Sequence, residues 1–318
     1  MPTNSIKLIA SDCHLSIVKT IAERLFIPVT ECVLIKDFDR EITFSICESV
    51  RDQDVYVVAQ IGSREVNDRV LELLIMINAA KTASARKITA VIPNFPYARQ
   101  DKRDKGRVPI TARLIADMLL TAGSDHIVTM DLHASQIQGF FDIPLDNLYA
   151  EPNIVRYIKE HVECDNCIIV SPDAGGAKRA ASLAEDLNVV FALIHKEQIS
   201  GKRNSKMVLV GNVKNKACII VDDMADTCGT LIKATEVLLE NGANQVIAIV
   251  THGILSGNAL KDICSSFMNK LVCTNTVQFD HELEAHPKID IIDVSGVLAE
   301  AIRRLHNGES VSYLFKNH

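Results

Sequence analysis

Short, mostly apolar runs rich in β-branched residues recur along this chain at 55–59, 88–92, 127–130, 168–170, 218–221, 246–250, 271–274 and 289–292. Runs of this length read as strands buried on both faces. Between them lie segments in which apolar residues return every three to four positions, such as 68–78 and 111–120, and these read as amphipathic helices. Strand and helix alternate throughout. The predicted class is α/β, built on mostly parallel sheets flanked by helices.

The plan occurs twice. Leu119-Leu120-x-x-Gly123 is followed ten residues later by His133, and Leu238-Leu239-x-x-Gly242 is followed ten residues later by His252. Helix, glycine cap, strand and histidine thus recur at one spacing, with a further apolar strand upstream of each copy. Two related domains are expected, 1–150 and 151–318, joined near Tyr149-Ala150-Glu151-Pro152 where proline interrupts the pattern. In sheets of this kind ligands bind beyond the carboxyl ends of the strands.

With 318 residues and 47% hydrophobic content, the chain has enough apolar surface for two cores. A net charge of −6 argues against a general attraction to nucleic acid or to an anionic membrane. No apolar run reaches the roughly 18 residues of a membrane span. The start, Met1-Pro2-Thr3-Asn4-Ser5, lacks a signal-peptide layout, so a cytoplasmic protein is expected. Nine cysteines, some inside apolar strands (Cys218, Cys273), read as reduced thiols. Cys164-x-x-Cys167 has no second pair beside it, and reads as a helix-to-strand turn more than a redox or zinc site.

The chemistry lies after the strands. Val221-Asp222-Asp223-Met224-Ala225-Asp226-Thr227-Cys228-Gly229-Thr230 places three carboxylates before a Thr-x-Gly-Thr turn that opens a helix. Gly229 permits close backbone approach to an anion, and the helix start favours negative charge there. Asp222 and Asp223 suit ribose hydroxyls or Mg²⁺ better than phosphate. A pentose phosphate is the ligand this pattern favours.

The first half carries five cations among the nine residues Arg99 to Arg107, between a strand and a helix, where a basic loop can close on a polyphosphate. Asp131-Leu132-His133 ends a strand and returns to Asp142 and Asp146, an oxygen-rich set with one imidazole that suits Mg²⁺, although a core histidine gives the same pattern. Ser171-Pro172-Asp173-Ala174-Gly175-Gly176-Ala177-Lys178-Arg179 pairs an acidic residue with two glycines and two cations, a turn suited to pyrophosphate or a metal-bound phosphate. Lys196 opens a polar segment to Lys206 without helix or strand period; it reads as a flexible loop, and a surface hairpin fits equally well.

The motifs at 96–101, 131–146, 171–179 and 221–230, in that order along the chain, resemble those of the ribose-phosphate pyrophosphokinases, also called phosphoribosyl pyrophosphate synthetases, of the phosphate-regulated class, and the resemblance runs over 6–315. It implies two tandem phosphoribosyltransferase-like domains and transfer of a diphosphoryl group from MgATP to the C1 hydroxyl of ribose 5-phosphate. By position it implies ATP contacts at Arg99, Gln100, Asp101, Lys102, Asp104, Asp39 and Glu41. It implies Mg²⁺ at Asp131, His133, Asp142, Asp146 and Asp173, and ribose 5-phosphate at Asp222, Asp223, Asp226, Thr227, Cys228, Gly229 and Thr230. Lys196, with Arg99 and His133, takes the catalytic role. The resemblance further implies an allosteric site for activating phosphate and inhibitory ADP at Ser49, Arg51, Ser84, Arg107, Ser310 and Ser312. Homo-oligomers or hetero-oligomers with paralogous subunits, hexamers and sometimes filaments, are also implied.

The chain departs from that pattern in places. The family's flexible loop reads Lys-x-Arg, against Lys196-Glu197-Gln198 here, so one cation is missing. Loss of a cation that acts like an arginine finger can lower turnover by about a thousandfold. Phe38 is displaced by one place within Lys36-Asp37-Phe38-Asp39-Arg40-Glu41, Cys47 and Arg64 stand where Gly is common, and Gly106 stands where Ser is common. An active synthetase subunit is the leading reading, and a poorly active or regulatory subunit is the alternative. A salvage phosphoribosyltransferase is disfavoured, because one sugar-phosphate cradle accompanies a separate ATP loop.

Overall fold

Each apolar run becomes a strand. The computed structural model describes residues 4–10, 15–62, 65–163, 166–198, 205–279 and 281–315. In chain order the first elements are β1 (Ile6–Ala10), α1 (Leu15–Leu25), β2 (Cys32–Lys36), β3 (Ile42–Ile46), β4 (Asp54–Val58), α2 (Val66–Thr82), β5 (Lys87–Ile92), α3 (Thr111–Ala122), β6 (His126–Met130) and β7 (Leu145–Leu148). Then follow α4 (Glu151–His161), β8 (Cys167–Ser171), α5 (Ala177–Leu187), β9 (Val190–Gln198), β10 (Ser205–Val210), β11 (Ala217–Ala225) and α6 (Gly229–Glu240). The chain closes with β12 (Gln245–Gly253), α7 (Ala259–Ser265), β13 (Lys270–Thr274), α8 (His281–Glu284), β14 (Ile289–Ile292) and α9 (Ser295–Asn307).

The chain divides into two units. The first comprises residues 1–149, 276–278 and 294–318, and the second comprises 150–275 and 279–293. In the first, parallel strands take the order β1-β4-β5-β6-β7. Val57, Ile92, Leu119, Ile127 and Phe141 share its apolar core. In the second, the order is β10-β9-β8-β11-β12-β13-β14, parallel except for the β9–β10 pair. Ile168, Val170, Ile220, Leu238 and Val250 lie in its core. Both units are thus mostly parallel sheets flanked by helices, as the alternation predicts.

The duplication is visible in the sheets, since β4-β5-β6-β7 matches β8-β11-β12-β13 in position and chain order, while the next place is filled by β1, which precedes β4, in one unit and by β9, which follows β8, in the other. The helix ends match too. Gly123 (φ 121°) donates to the Leu119 and Leu120 carbonyls, and Gly242 (φ 87°) donates to the Leu239 carbonyl. Left-handed backbone of this kind is open to glycine at little cost. The histidines do not match. His133 lies beyond β6 and is exposed, whereas His252 is 2% exposed inside the longer β12.

Several elements differ from the reading of the sequence. Of the two readings of the segment from Lys196, the hairpin holds for its described ends: 196–198 close β9, with Lys196 opposite Met207 and Gln198 opposite Ser205 in β10. An antiparallel pair at a sheet edge satisfies its backbone within the hairpin and requires no apolar face, which is why periodicity misses it. Residues 199–204, including Lys202 and Arg203, lie outside the described residues, as do Arg64 and the Cys164 half of the C-x-x-C pair. The antiparallel β2–β3 hairpin and the strands β1 and β7 also escape the pattern. A single cut at 150/151 assigns α9 to the second half, but α9 packs on α1 in the first unit.

Candidate active site

In the second unit, loops from the ends of β8 and β11 meet. Ser171 Oγ donates to the Asp173 carbonyl at 2.7 Å, and the Gly176 N–H donates to Asp173 Oδ1 at 3.0 Å. This curls the 171–176 turn over the start of α5. A Cβ at Gly176 would lie 3.0 Å from Ser171 Oγ and 3.9 Å from Asp222 Oδ1, so the turn approaches β11 about as closely as glycine permits. Arg179 on α5 directs Nη1 to Asp223 Oδ1 at 3.6 Å and to Asp222 Oδ1 at 3.9 Å. The Asp223 N–H donates to Asp222 Oδ1 at 2.9 Å.

Burial first, and the Asp223 carboxylate second, push the Asp222 carboxyl up from 3.8 to about 8, with Asp173 adding in the same direction. Three carboxylates beside one guanidinium leave a local excess of negative charge. That excess suits hydroxyl donors and a hard cation.

Beyond β11 the chain turns sharply. Cys228 takes φ 60° at the start of α6, and its buried thiol points into the core, pushed up to about 12 by burial. Cys228 therefore offers the turn its backbone and not a reactive sulfur, which narrows the role expected of it. Thr227, Gly229 and Thr230 are exposed. A Cβ on Gly229 would meet only Thr227 Oγ1, at 4.0 Å, so the space over the first turn of α6 is open. Asp226 is clasped from behind: Ser256 N–H donates to its carbonyl at 3.1 Å, and Ser256 Oγ donates to its carboxylate. Nothing in the sequence pattern singles out Ser256.

In the first unit, the loop after β5 begins with buried Asn94, whose side chain donates to the Ile61 carbonyl at 2.6 Å. Arg99, Lys102, Arg103, Lys105 and Arg107 are all exposed, a cationic rim suited to phosphate oxygens. Asp104 is exposed as well, 3.9 Å from Lys102 Nζ. Two residues expected to contact ATP have internal partners. Gln100 Oε1 accepts from Thr111 Oγ1 at 2.5 Å, and buried Asp101 accepts from Gln136 Nε2 at 2.8 Å. Asp39 and Glu41 stand at the turn of the β2–β3 hairpin, where the Glu41 N–H donates to Asp39 Oδ1 at 3.1 Å. Phe38 is fully exposed at that turn.

The expected metal set of this unit is divided. Asp131, buried at φ 41°, and exposed His133 mark the end of β6, and Asp142 is exposed further on. Asp146 instead accepts from His126 Nε2 at 2.7 Å, because β7 pairs Asp146 with Val128 and turns its side chain toward the start of β6. No group of three or more His, Cys, Asp or Glu side chains placed to hold a metal ion occurs among the described residues. Mg²⁺ usually takes only one or two carboxylates and finds its other ligands in substrate phosphates and water. The residues present fit an ion that arrives with a nucleotide. Of the implied allosteric positions, the Asp52 N–H donates to the Ser84 carbonyl at 3.0 Å, which brings Ser84 beside Arg51. Ser310 and Ser312 share the turn after α9, joined by a 3.3 Å bond from the Ser312 N–H to Ser310 Oγ. Ser49 and Arg107 are exposed elsewhere in the unit.

Paired parallel sheets, a Gly-edged acidic cradle and a cationic loop define an α/β protein that handles sugar phosphates and polyphosphates. Residues 6–123 match the N-terminal domain of ribose phosphate pyrophosphokinase, and 198–316 match the phosphoribosyl synthetase-associated domain. The chain is 66% identical over 318 residues to ribose-phosphate pyrophosphokinase 3 of Saccharomyces cerevisiae, covering 100% of this chain and 99% of that protein. It is 64% identical over 317 residues to ribose-phosphate pyrophosphokinase 1 of Candida albicans, with 100% and 99% covered. Phosphoribosylpyrophosphate synthetase from Mycobacterium smegmatis superposes with a TM-score of 0.90 at 39% identity, over 96% of this chain and 100% of that one. The chain belongs to the ribose-phosphate pyrophosphokinase family, and it is an enzyme of the kinase-type transferases.

Proposed function

We propose that this chain transfers the diphosphoryl group of MgATP to the C1 hydroxyl of ribose 5-phosphate, forming phosphoribosyl pyrophosphate and AMP for nucleotide synthesis. The observation that carries the assignment is the Asp222, Asp223 and Arg179 group beneath the 171–176 turn, which joins hydroxyl acceptors to a turn open to phosphate. Asp222, Asp223 and Asp226 hold the ribose hydroxyls, and the backbone of Thr227 to Thr230 holds the 5-phosphate. Arg99, Lys102 and Asp104 of the exposed loop, with the Asp39–Glu41 turn, bind ATP. Asp101 and Gln100 shape that loop from within.

Phosphoryl-group transfer passes through a loose transition state, so positioning and charge neutralisation dominate and no side-chain nucleophile is needed. Asp131 and His133 in the first unit, and Asp173 in the second, would offer ligands to Mg²⁺, which would supply charge neutralisation at phosphate oxygens when bound. Lys196 and Arg99 stabilise the transferring group. Phosphate activation through the Arg51–Ser84 and Ser310–Ser312 positions, a cytoplasmic location and assembly into homo- or hetero-oligomers belong to the same reading. Saccharomyces cerevisiae holds at least three related pyrophosphokinases, numbered 2, 3 and 4, which supports pairing with a paralogue.

The test is AMP release by the purified chain given Mg²⁺, phosphate, ATP and ribose 5-phosphate, with Asp223→Asn as the inactive control. Steady turnover is expected. Turnover that appears only with Gln198→Arg assigns the deficit to the missing loop cation, and turnover that appears only with a paralogue assigns it to assembly. No product under any of the three conditions overturns the proposal.

A further inference from the structure

A thiol and an imidazole meet away from the motifs described above. Cys264, half-buried on the last turn of α7, places Sγ 2.9 Å from Nε2 of His286, in the turn before β14. The backbone N–H of Lys288 donates to His286 Nδ1 at 3.2 Å. With Nδ1 accepting, the neutral ring carries its hydrogen on Nε2, directed at the sulfur. Lys288 Nζ closes the same turn, donating to the carbonyls of Ile263 (3.3 Å), Cys264 (3.1 Å) and Ser266 (2.8 Å). A sulfur that accepts a hydrogen bond beside a cation, and is still reached by solvent, has the surroundings of a reactive thiol. The buried thiols differ: Cys218, Cys228 and Cys273 are enclosed in the apolar core.

We propose that Cys264 is a modification site, at which a small disulfide with acidic groups, such as oxidised glutathione, forms a mixed disulfide. The Cys264 sulfur attacks one sulfur of the reagent, a new S–S bond forms as the old one breaks, and the second half leaves as a thiolate. The thiol proton passes to solvent, and the leaving thiolate takes one from solvent, so the exchange consumes one disulfide and releases one thiol. His286 holds its Nε2 hydrogen on the sulfur. The Lys288 ammonium favours a reagent that carries carboxylates.

Cys47 provides an internal reference, because it is exposed and its accessibility exceeds that of Cys264. The full, reduced chain is incubated with oxidised glutathione, quenched in acid and digested, and each cysteine peptide is followed by mass spectrometry. Cys264 is expected to form the mixed disulfide faster than Cys47, on the order of tenfold. His286→Phe is expected to bring the two rates together, and His286→Gln, whose amide can still donate, to keep Cys264 ahead. The proposal is overturned if Cys264 reacts no faster than Cys47 in the unmodified chain, a comparison that needs no variant to fold. It is equally overturned if a folded His286→Phe protein keeps the full rate.

Discussion

Gln136 donates to the buried carboxylate of Asp101 at 2.8 Å, so the root of the cationic loop is tied to the 3-10 turn at Ser135–Phe140 that follows β6. Asp101 is 8% exposed, and a carboxylate left there without its donor loses about 1–3 kcal/mol of compensation. Gln136→Leu is expected to lower the unfolding free energy by that amount and to raise KM for ATP, while KM for ribose 5-phosphate stays fixed. Denaturant titration and the two KM values check it. Equal changes in both KM values would argue against a loop-specific role.

Ser256 clasps the turn that carries Asp226, and the Ile254 and Leu255 N–H groups hold the Ala225 carbonyl at 2.8 Å and 3.0 Å. Leu255 is 8% exposed at φ 50°, a backbone region that leucine seldom occupies, so the clasp itself holds strain. Ser256→Ala releases the Asp226 carboxylate at a cost of about 1.4 kcal/mol, which corresponds to about tenfold in ribose 5-phosphate affinity. Isothermal titration with ribose 5-phosphate measures this. Ser256→Thr, which keeps the hydroxyl, is expected to recover most of the loss.

Asp222 gives the fold a pH dependence of unusual sign. The unfolded chain releases this proton near 3.8, whereas burial and Asp223 hold it in the folded state up to about 8. Across that window the unfolded state binds fewer protons, so stability falls as pH rises. Asp222→Asn removes the fall. Urea unfolding at about pH 5 and about pH 8 is expected to show the unmodified chain losing about 1–3 kcal/mol more than the variant, a figure reduced for the opposing charge of Arg179. Ribose 5-phosphate binding should be lost in the same variant. Parallel pH curves for the two proteins would refute the assignment.

The parts of the fold that could be read from sequence are those where one physical signal acts alone. The segments α3–Gly123–β6 and α6–Gly242–β12 join an apolar period to a helix end that favours glycine, and both form as expected. The β2–β3 hairpin is hidden because its turn, Asp37 to Arg40, reads as a charged run, and its strands are only half covered. Polar residues at the end of β9 conceal a strand for the same reason. At the site, the strand-to-helix turn from Asp222 to Thr230 could be read because strand, carboxylates and glycine are contiguous. Asp146 could not be placed, because its partner His126 lies twenty residues away, on a neighbouring strand. Ser256 escaped as well, since its contact with Asp226 spans thirty residues and carries no local pattern.

Gly253 closes β12 three residues before Ser256, and the strand leaves no room for a side chain there. A Cβ would lie 2.6 Å from Cys273 Sγ, 2.9 Å from Phe279 Cζ and 3.0 Å from Cys273 Cβ, and both neighbours are buried. Gly253→Ala must therefore push β12 away from β13 or displace Phe279, at about 2–4 kcal/mol. If β12 moves, the 254–256 clasp moves with it and ribose 5-phosphate affinity drops. If Phe279 moves instead, affinity is kept and only stability is lost. Cys273→Ala opens the space that the new methyl requires, so adding it to Gly253→Ala should restore at least about 1 kcal/mol relative to the sum of the single changes. A double-mutant cycle in denaturant, with ribose 5-phosphate titrations on each corner, separates the two responses. Strict additivity would show that the crowding at Cys273 does not set the position of β12.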